Sequence, residues 1–134
     1  MGHIVATAKW LMLAITAIGL AACAGLRAKP QPIEVESVRL TAAGHYLDLR
    51  YHVLDPAAAQ AALGPKVRPR LINEKTGAVM AVPLTAKLGS LRQTQAIQKP
   101  GRTYFVMFIN NGVGPGSRVT AELGELTFKH LVVE

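Results

Sequence analysis

The stretch at residues 46–54 constrains the fold more than any other part of the sequence, because its apolar and polar residues strictly alternate. On a β-strand this pattern places the apolar side chains on one face and the polar ones on the other. The residues expected to face a core are Leu47, Leu49, Tyr51 and Val53. The stretch therefore predicts a half-buried strand in an antiparallel sheet, which can cover one face and expose the other.

Other short apolar stretches, separated by turn signals, predict that the whole domain is all-β. The further strands are expected at residues 33–41, 67–72, 78–82, 84–95, 104–109, 118–123 and 126–133. Such a series is typical of an antiparallel β-sandwich of about seven or eight strands. In the first strand the apolar alternation slips by one position, which predicts a β-bulge near Ser37.

In three further segments the local sequence predicts a helix, a central strand and a loop. Asp55 and Pro56 predict the start of a short connecting helix, since aspartate caps a helix and proline suits its first position. Residues 104–109 are apolar on both faces, which favours a central strand. The glycine-rich residues 110–117 predict a long loop.

The N-terminal region ends an apolar run with Leu20, Ala21, Ala22 and Cys23, and Cys23 is the only cysteine. The run suits an export signal and is shorter than the roughly 20 residues that span a bilayer. The motif resembles the lipobox of bacterial lipoprotein precursors. That resemblance implies cleavage between Ala22 and Cys23 by signal peptidase II, and fatty acyl chains such as palmitate on Cys23. An uncleaved anchor helix and an ordinary signal peptide with an incidental cysteine are the alternatives.

The lipobox resemblance also implies a division of the chain and a location. Residues 1–22 are the expected signal peptide, as a helix; residues 23–32 are the lipidated cysteine and tether; residues 33–134 are the β-domain. Two or three acyl chains would hold the protein firmly to a membrane. The family's sorting rule depends on the residue after the cysteine. Ala24 at that position implies the outer membrane, with the domain facing the periplasm or the cell surface.

Residues 33–134 are similar in pattern to small immunoglobulin-like and fibronectin-like envelope domains. The similarity lies in the apolar strand at residues 104–109, the Pro-Gly loop and the final pair of strands. The cysteine pair and tryptophan of true immunoglobulin domains are missing, since Cys23 and Trp10 both precede the domain. The resemblance implies a fold and carries no function.

The charge balance is basic, with 15 Lys and Arg against 8 Asp and Glu and a formal net charge of +7. Because aromatic residues do not interleave with these charges, nucleic acid is an unsuitable partner. Anionic lipid, lipopolysaccharide or an acidic envelope protein suits the charge better. Lys66, Arg68 and Arg70 alternate, so on a strand they would project from one face about 6.6–7 Å apart.

Pro69 removes a backbone donor from this predicted strand and therefore predicts that it lies at a sheet edge. Two compatible explanations follow for the basic residues Lys66, Arg68 and Arg70. They would protect the edge against edge-to-edge aggregation, or they would dock the domain on an anionic surface.

No nucleophile motif, phosphate-binding loop or catalytic carboxylate pair is recognisable, so we expect no catalytic residues, no cofactor and no enzyme activity. Residue types that copper carriers use occur without a ligand spacing, so no metal site is expected. Those residues are His45, His52, His130, Met80 and Met107. The sequence favours a non-catalytic binding or accessory module of the envelope. The alternatives are a structural subunit of a larger envelope assembly and a periplasmic copper-binding protein.

Overall fold

The computed structural model describes residues 30–87, 89–92 and 99–134. The expected signal helix, the expected cleavage site after Ala22 and the predicted lipidation site Cys23 lie outside the described residues. Within them, β-strands dominate, and all of the pairs between strands are antiparallel. The prediction of an all-β fold is confirmed.

The described residues form nine strands and one short helix. The strands are β1 (Ile33–Thr41), β2 (Tyr46–Val53), β3 (Arg70–Asn73), β4 (Val79–Ala81), β5 (Leu84–Thr85), β6 (Gly89–Ser90), β7 (Thr103–Ile109), β8 (Arg118–Leu123) and β9 (Leu126–Val132); the helix is α1 (Pro56–Ala62). Strands β5 and β6 contain two residues each and form a small hairpin, where the sequence predicted one interrupted strand.

The first sheet has the order β1-β2-β7. On β2 the four predicted core residues are at most 1% exposed, which confirms the alternation in residues 46–54. The predicted bulge in β1 is also confirmed: Val35 pairs with Tyr51 and Ser37 with Arg50, so Glu36 is the additional residue. The bulge allows both halves of β1 to present apolar residues to the core.

The prediction that residues 104–109 form a central strand stays a prediction. Among the described strands, β7 pairs with β2 along one edge. Along its other edge, the described residues provide a bridge between Arg92 and Val106, and residues 93–98 lie outside the described part of the chain. The outer-face residues Phe105 and Met107 are half-buried.

The second sheet has the order β4-β3-β8-β9. Strand β3 begins at Arg70, three residues later than predicted, and lies between two neighbours instead of at an edge. The prediction of an edge strand is therefore wrong. Pro69 does not interrupt the sheet because it precedes the strand, where its missing N–H breaks no ladder hydrogen bond.

The helix α1 connects the two sheets and follows the predicted signals. The Asp55 side chain accepts a hydrogen bond from the backbone N–H of Ala58 at 3.2 Å, and Pro56 occupies the first turn. Ala59 is the buried residue of the helix. No helix in the described part of the chain is long and apolar enough to cross a membrane.

Buried residues from both larger sheets belong to one hydrophobic core. Tyr51 of β2 and Tyr104 of β7 stack within it, with ring centroids 5.8 Å apart. The two sheets are also joined through the backbone, because Glu134 donates to the carbonyl of Val38 and accepts from the N–H of Leu40, both at 2.9 Å. Both sheets therefore contribute buried residues to the same core.

Candidate functional site: a basic pocket

The segment from Gly64 to Pro69 connects α1 to β3 and is a turn followed by irregular backbone, not a strand. The N–H of Val67 donates to the carbonyl of Gly64 at 3.0 Å and closes the turn. Pro65 and Pro69 lack N–H donors, so the segment could supply only part of a strand ladder. The alternation of Lys66, Arg68 and Arg70 therefore does not place them on one strand face, and that prediction is wrong.

The structure separates the three predicted basic residues into two groups. Arg70 lies on β3 directly opposite Glu122 of β8, and its Nε bonds to the Glu122 carboxylate. Lys66 and Arg68 are exposed on the connecting segment and make no hydrogen bond or ion pair with other described residues. Arg70 thus has a local counter-charge, and Lys66 and Arg68 do not.

Lys66 and Arg68 line an open pocket of about 310 Å³. Among the described residues, its lining combines three cationic side chains, one serine and an apolar wall, without an acidic residue: Pro65, Lys66, Val67, Arg68, Pro69, Ala81, Val82, Leu84, Ser90 and Arg92. We call this feature the basic pocket. A cleft lined by charges of one sign focuses its field and attracts ligands of the opposite charge.

Arg92 is the member of the basic pocket that sequence reasoning missed. Its Nη2 donates to the carbonyls of Gly64 and Pro65 at 3.0 and 3.1 Å, so it fixes the start of the connecting segment. The bridge between Arg92 and Val106 positions it at the edge of β7. The bond to Gly64 spans 28 positions of sequence, and no local pattern indicates such a contact.

Burial lowers the pKa of Arg92, and the nearby Tyr51 opposes that shift. The guanidinium remains cationic at neutral pH because an arginine pKa begins more than five units higher. Two of its five N–H donors point to the carbonyls of the segment through one nitrogen. Arg92 therefore contributes both shape and positive charge to the pocket.

The turn at Gly124 packs against the segment that connects α1 to β3. Gly124, between β8 and β9, has a φ of +66°, and a Cβ there would lie 2.6 Å from the carbonyl oxygen of Ala62 and 3.3 Å from a methyl group of Val67. Only glycine allows this approach, because both the backbone angle and the space exclude a side chain. The turn holds the end of α1 and Val67 in place.

The residues considered for copper lie in several parts of the fold. Met80 is buried, His45 is in the exposed turn between β1 and β2, and Met107 is half-buried on β7. Among the described residues, no three or more His, Cys, Asp or Glu side chains group as metal ligands would.

His52 belongs to a small polar cluster on the outer face of the first sheet. Its Nε2 lies 3.4 Å from a Glu36 oxygen, and its Nδ1 lies 3.3 Å from the hydroxyl of Thr103. The Thr103 hydroxyl also lies 3.5 Å from the same Glu36 oxygen. Because one carboxylate oxygen contacts both the imidazole and the hydroxyl, the cluster is a closed triangle and not an extended proton relay.

His130 belongs to a second polar cluster, at a bulge in β9. Glu74 accepts from the backbone N–H of His130 at 2.7 Å and from the Thr120 hydroxyl at 2.9 Å. The backbone hydrogen bond from His130 lowers the pKa of Glu74 most; burial opposes this shift, and the His130 and Thr120 side chains reinforce it. Glu74 thereby satisfies the extra backbone group that the bulge leaves outside the β8–β9 ladder.

Comparisons with models of known protein families, with curated proteins and with solved structures each found no match.

Proposed function

We propose that the protein is a bacterial envelope lipoprotein, anchored through acyl chains on Cys23, whose β-domain is a non-catalytic binding or accessory module. The single observation that supports the proposed anchor is the motif Leu20-Ala21-Ala22-Cys23 at the end of an apolar run. On this proposal signal peptidase II cleaves after Ala22. Ala24 supports the outer membrane, with the domain facing the periplasm or the cell surface.

The architecture that we propose for the domain is an immunoglobulin-like β-sandwich. Its support is the pair of antiparallel sheets, of three and four strands, whose buried residues form one core. In a sandwich the inner faces of two sheets interdigitate in this way. Nuclear Overhauser contacts between Leu49 of β2 and residues of β3 or β8 would test the proposal, and their absence would contradict it.

The binding role is supported by the basic pocket. Lys66, Arg68 and Arg92 meet there beside an apolar wall and without an acidic neighbour in the lining. Ligand sites typically combine an apolar surface with a few polar groups that fix orientation. Anionic lipid, lipopolysaccharide or an acidic envelope protein remains the class of partner that we propose for the module.

Metabolic labelling with a fatty acid tests the proposed anchor. The full-length protein should incorporate label in bacteria, and Cys23→Ser should abolish it because the chain has no other cysteine. Ala24→Asp is the matched control, since it changes the neighbouring residue and keeps the thiol, and it should stay labelled. Equal labelling of the wild type and Cys23→Ser would refute the lipoprotein proposal.

A structural subunit of a larger envelope assembly is the second candidate, and exposed apolar residues favour it. Val79 on the edge strand β4 is 51% exposed, and Leu84 on β5 is 83% exposed. Exposed apolar groups beside a free strand edge are a common contact surface for another chain. Under this alternative a stoichiometric envelope protein should copurify with the wild type and be lost with Val79→Asp, while Leu54→Asp, at an equally exposed residue outside the strands, should retain it.

A further inference from the structure

We infer that the basic pocket binds the phosphate headgroup and adjoining apolar chain of an anionic phospholipid. The inference deepens the proposed binding role and rests on it. It does not depend on Cys23, because the residues that line the pocket lie between Pro65 and Arg92.

The charges of the pocket favour a phosphate ligand. Three cations line the space without an acidic residue, and Lys66 and Arg68 have no ion-pair partner in the described chain. A phosphate monoester carries about −1.5 to −2 charges at pH 7, which suits several cations better than a single carboxylate charge does. Arginine also binds phosphate oxygens through paired N–H groups, and the pocket offers two arginines.

The volume of the basic pocket and its apolar lining favour a ligand larger than the phosphate group. The pocket of about 310 Å³ is roughly ten times the ~30 Å³ that one water molecule takes in the liquid. Inorganic phosphate would leave much of that space to water. Val67, Val82 and Leu84 supply an apolar surface beside the cations, and Leu84 remains 83% exposed. An acyl chain next to the headgroup would cover part of this surface.

Binding to the intact chain in nonionic detergent micelles, measured by isothermal titration calorimetry, tests this inference. The probes are dioctanoyl phosphatidic acid, dioctanoyl phosphatidylcholine and inorganic phosphate. We expect saturable binding of phosphatidic acid at low micellar mole fraction. Phosphatidylcholine and inorganic phosphate should each bind at least ten-fold more weakly. The first lacks the net negative charge, and the second lacks the chain.

Two double variants separate the pocket from general charge effects. Lys66→Gln/Arg68→Gln should weaken the binding of phosphatidic acid at least ten-fold. Lys75→Gln/Lys129→Gln removes the same charge from exposed residues that do not line the pocket, and it should change affinity less than two-fold. Leu84→Ser should weaken the binding of phosphatidic acid and leave the binding of inorganic phosphate unchanged. Thermal melting and near-ultraviolet circular dichroism of each variant report whether it is folded.

Three results would overturn the inference. If both double variants lose affinity equally, the attraction is general surface charge and the pocket is not the site. If phosphatidylcholine binds as well as phosphatidic acid, the cations play no part. If inorganic phosphate binds as tightly as phosphatidic acid, the ligand is a free anion and not a lipid. All three readouts are independent of fatty-acid labelling at Cys23, so failure of the pocket and failure of the anchor are distinguishable.

Discussion

Three arginines on the strands and two cations on the segment between α1 and β3 have opposite surroundings. Arg39 of β1 lies 2.8 Å from a carboxylate oxygen of Glu134, and Arg50 of β2 lies 3.0 Å from one of Asp48. Arg70 is paired in the same manner with Glu122. Lys66 and Arg68, a few positions earlier, have no such partner among the described residues and line a pocket instead.

The pairing of Arg70 shows how strand register supplies a counter-charge. A strand residue has cross-strand neighbours at a fixed register, so an acidic side chain can be placed directly opposite, as Glu122 is for Arg70. Irregular backbone offers no such fixed neighbour. Under the proposed binding role, a cation there binds an anionic ligand, and the apolar wall beside it selects for a lipid.

The largest expected effect is a loss of stability on replacing a buried residue of β2. It tests whether β2 buries alternate residues. Leu49 is fully buried, so Leu49→Ala should lower the free energy of unfolding by about 2–5 kcal/mol. The neighbouring Arg50 is exposed, and Arg50→Ala should cost about 1 kcal/mol or less. Urea unfolding measures both. Similar losses at the two positions would mean that β2 does not bury alternate residues.

The next prediction concerns the Gly124 turn, which packs against Val67 of the segment between α1 and β3. Gly124→Ala would place a Cβ 2.6 Å from the carbonyl oxygen of Ala62 and should cost roughly 1–3 kcal/mol. Gly77→Ala is the matched control, because its φ of +75° is similar and nothing lies within 4 Å of the added atom. The control should cost only the backbone strain. Equal losses in thermal or urea unfolding would show that the contact with α1 does not constrain the segment.

The pH dependence of stability extends the comparison to an acid, since Glu74 lies in the turn after β3 and its carboxylate bonds to Thr120 of β8 and His130 of β9. Its pKa is lowered in the folded protein, so its ionised form stabilises the fold above the unfolded-state pKa. That contribution is lost as the pH falls below about 4.5 and through the folded-state pKa. Glu74→Gln should therefore be less stable than the wild type at pH 7, and the gap should narrow by pH 3.

Glu125→Gln is the control for this pH experiment, since Glu125 is an exposed residue of the β8–β9 turn. Urea unfolding at pH 7 and pH 3 measures both variants, and the change in the difference from the wild type between the two pH values should be larger for Glu74→Gln than for this control. A gap between the wild type and Glu74→Gln that stays constant between the two pH values would contradict the role of Glu74 at the bulge.

The smallest expected effect contrasts one paired and one unpaired cation directly. Arg39→Gln removes an exposed ion pair with Glu134 and should cost no more than about 1 kcal/mol. Lys66→Gln removes no partner and should change stability by less than about 0.5 kcal/mol. Urea unfolding in low salt resolves the difference best, because salt screens surface pairs. A larger loss for Lys66→Gln would mean that Lys66 has a structural role.

The first hairpin could be predicted almost residue by residue from the sequence. Its strands alternate strictly, and the one-position slip near Ser37 has a single simple explanation, a bulge. The cap at Asp55 is likewise local, since it depends on the properties of a few consecutive residues. Patterns of this kind are visible in sequence because burial and backbone angle repeat over short distances.

The basic pocket could be predicted only in part. Lys66 and Arg68 were recognisable as a local group of cations, but their alternation suggested a strand that Pro65 and Pro69 do not allow. The pairing of Arg70 with Glu122 depends on the register between β3 and β8. Arg92 reaches the pocket through contacts with residues far away in sequence, so only the folded chain brings it to Lys66 and Arg68.

Titration of the intact, ¹⁵N-labelled protein with dioctanoyl phosphatidic acid, followed by NMR of the arginine Nε–Hε signals, tests the difference between the two groups of cations most directly. Each arginine reports its own surroundings in one experiment. The signals of Arg68 and Arg92 should move in a saturable manner with added lipid, and those of Arg39, Arg50 and Arg70 should stay in place because carboxylates occupy them. Equal movement of all five signals would contradict the distinction between paired strand cations and a ligand-binding pocket.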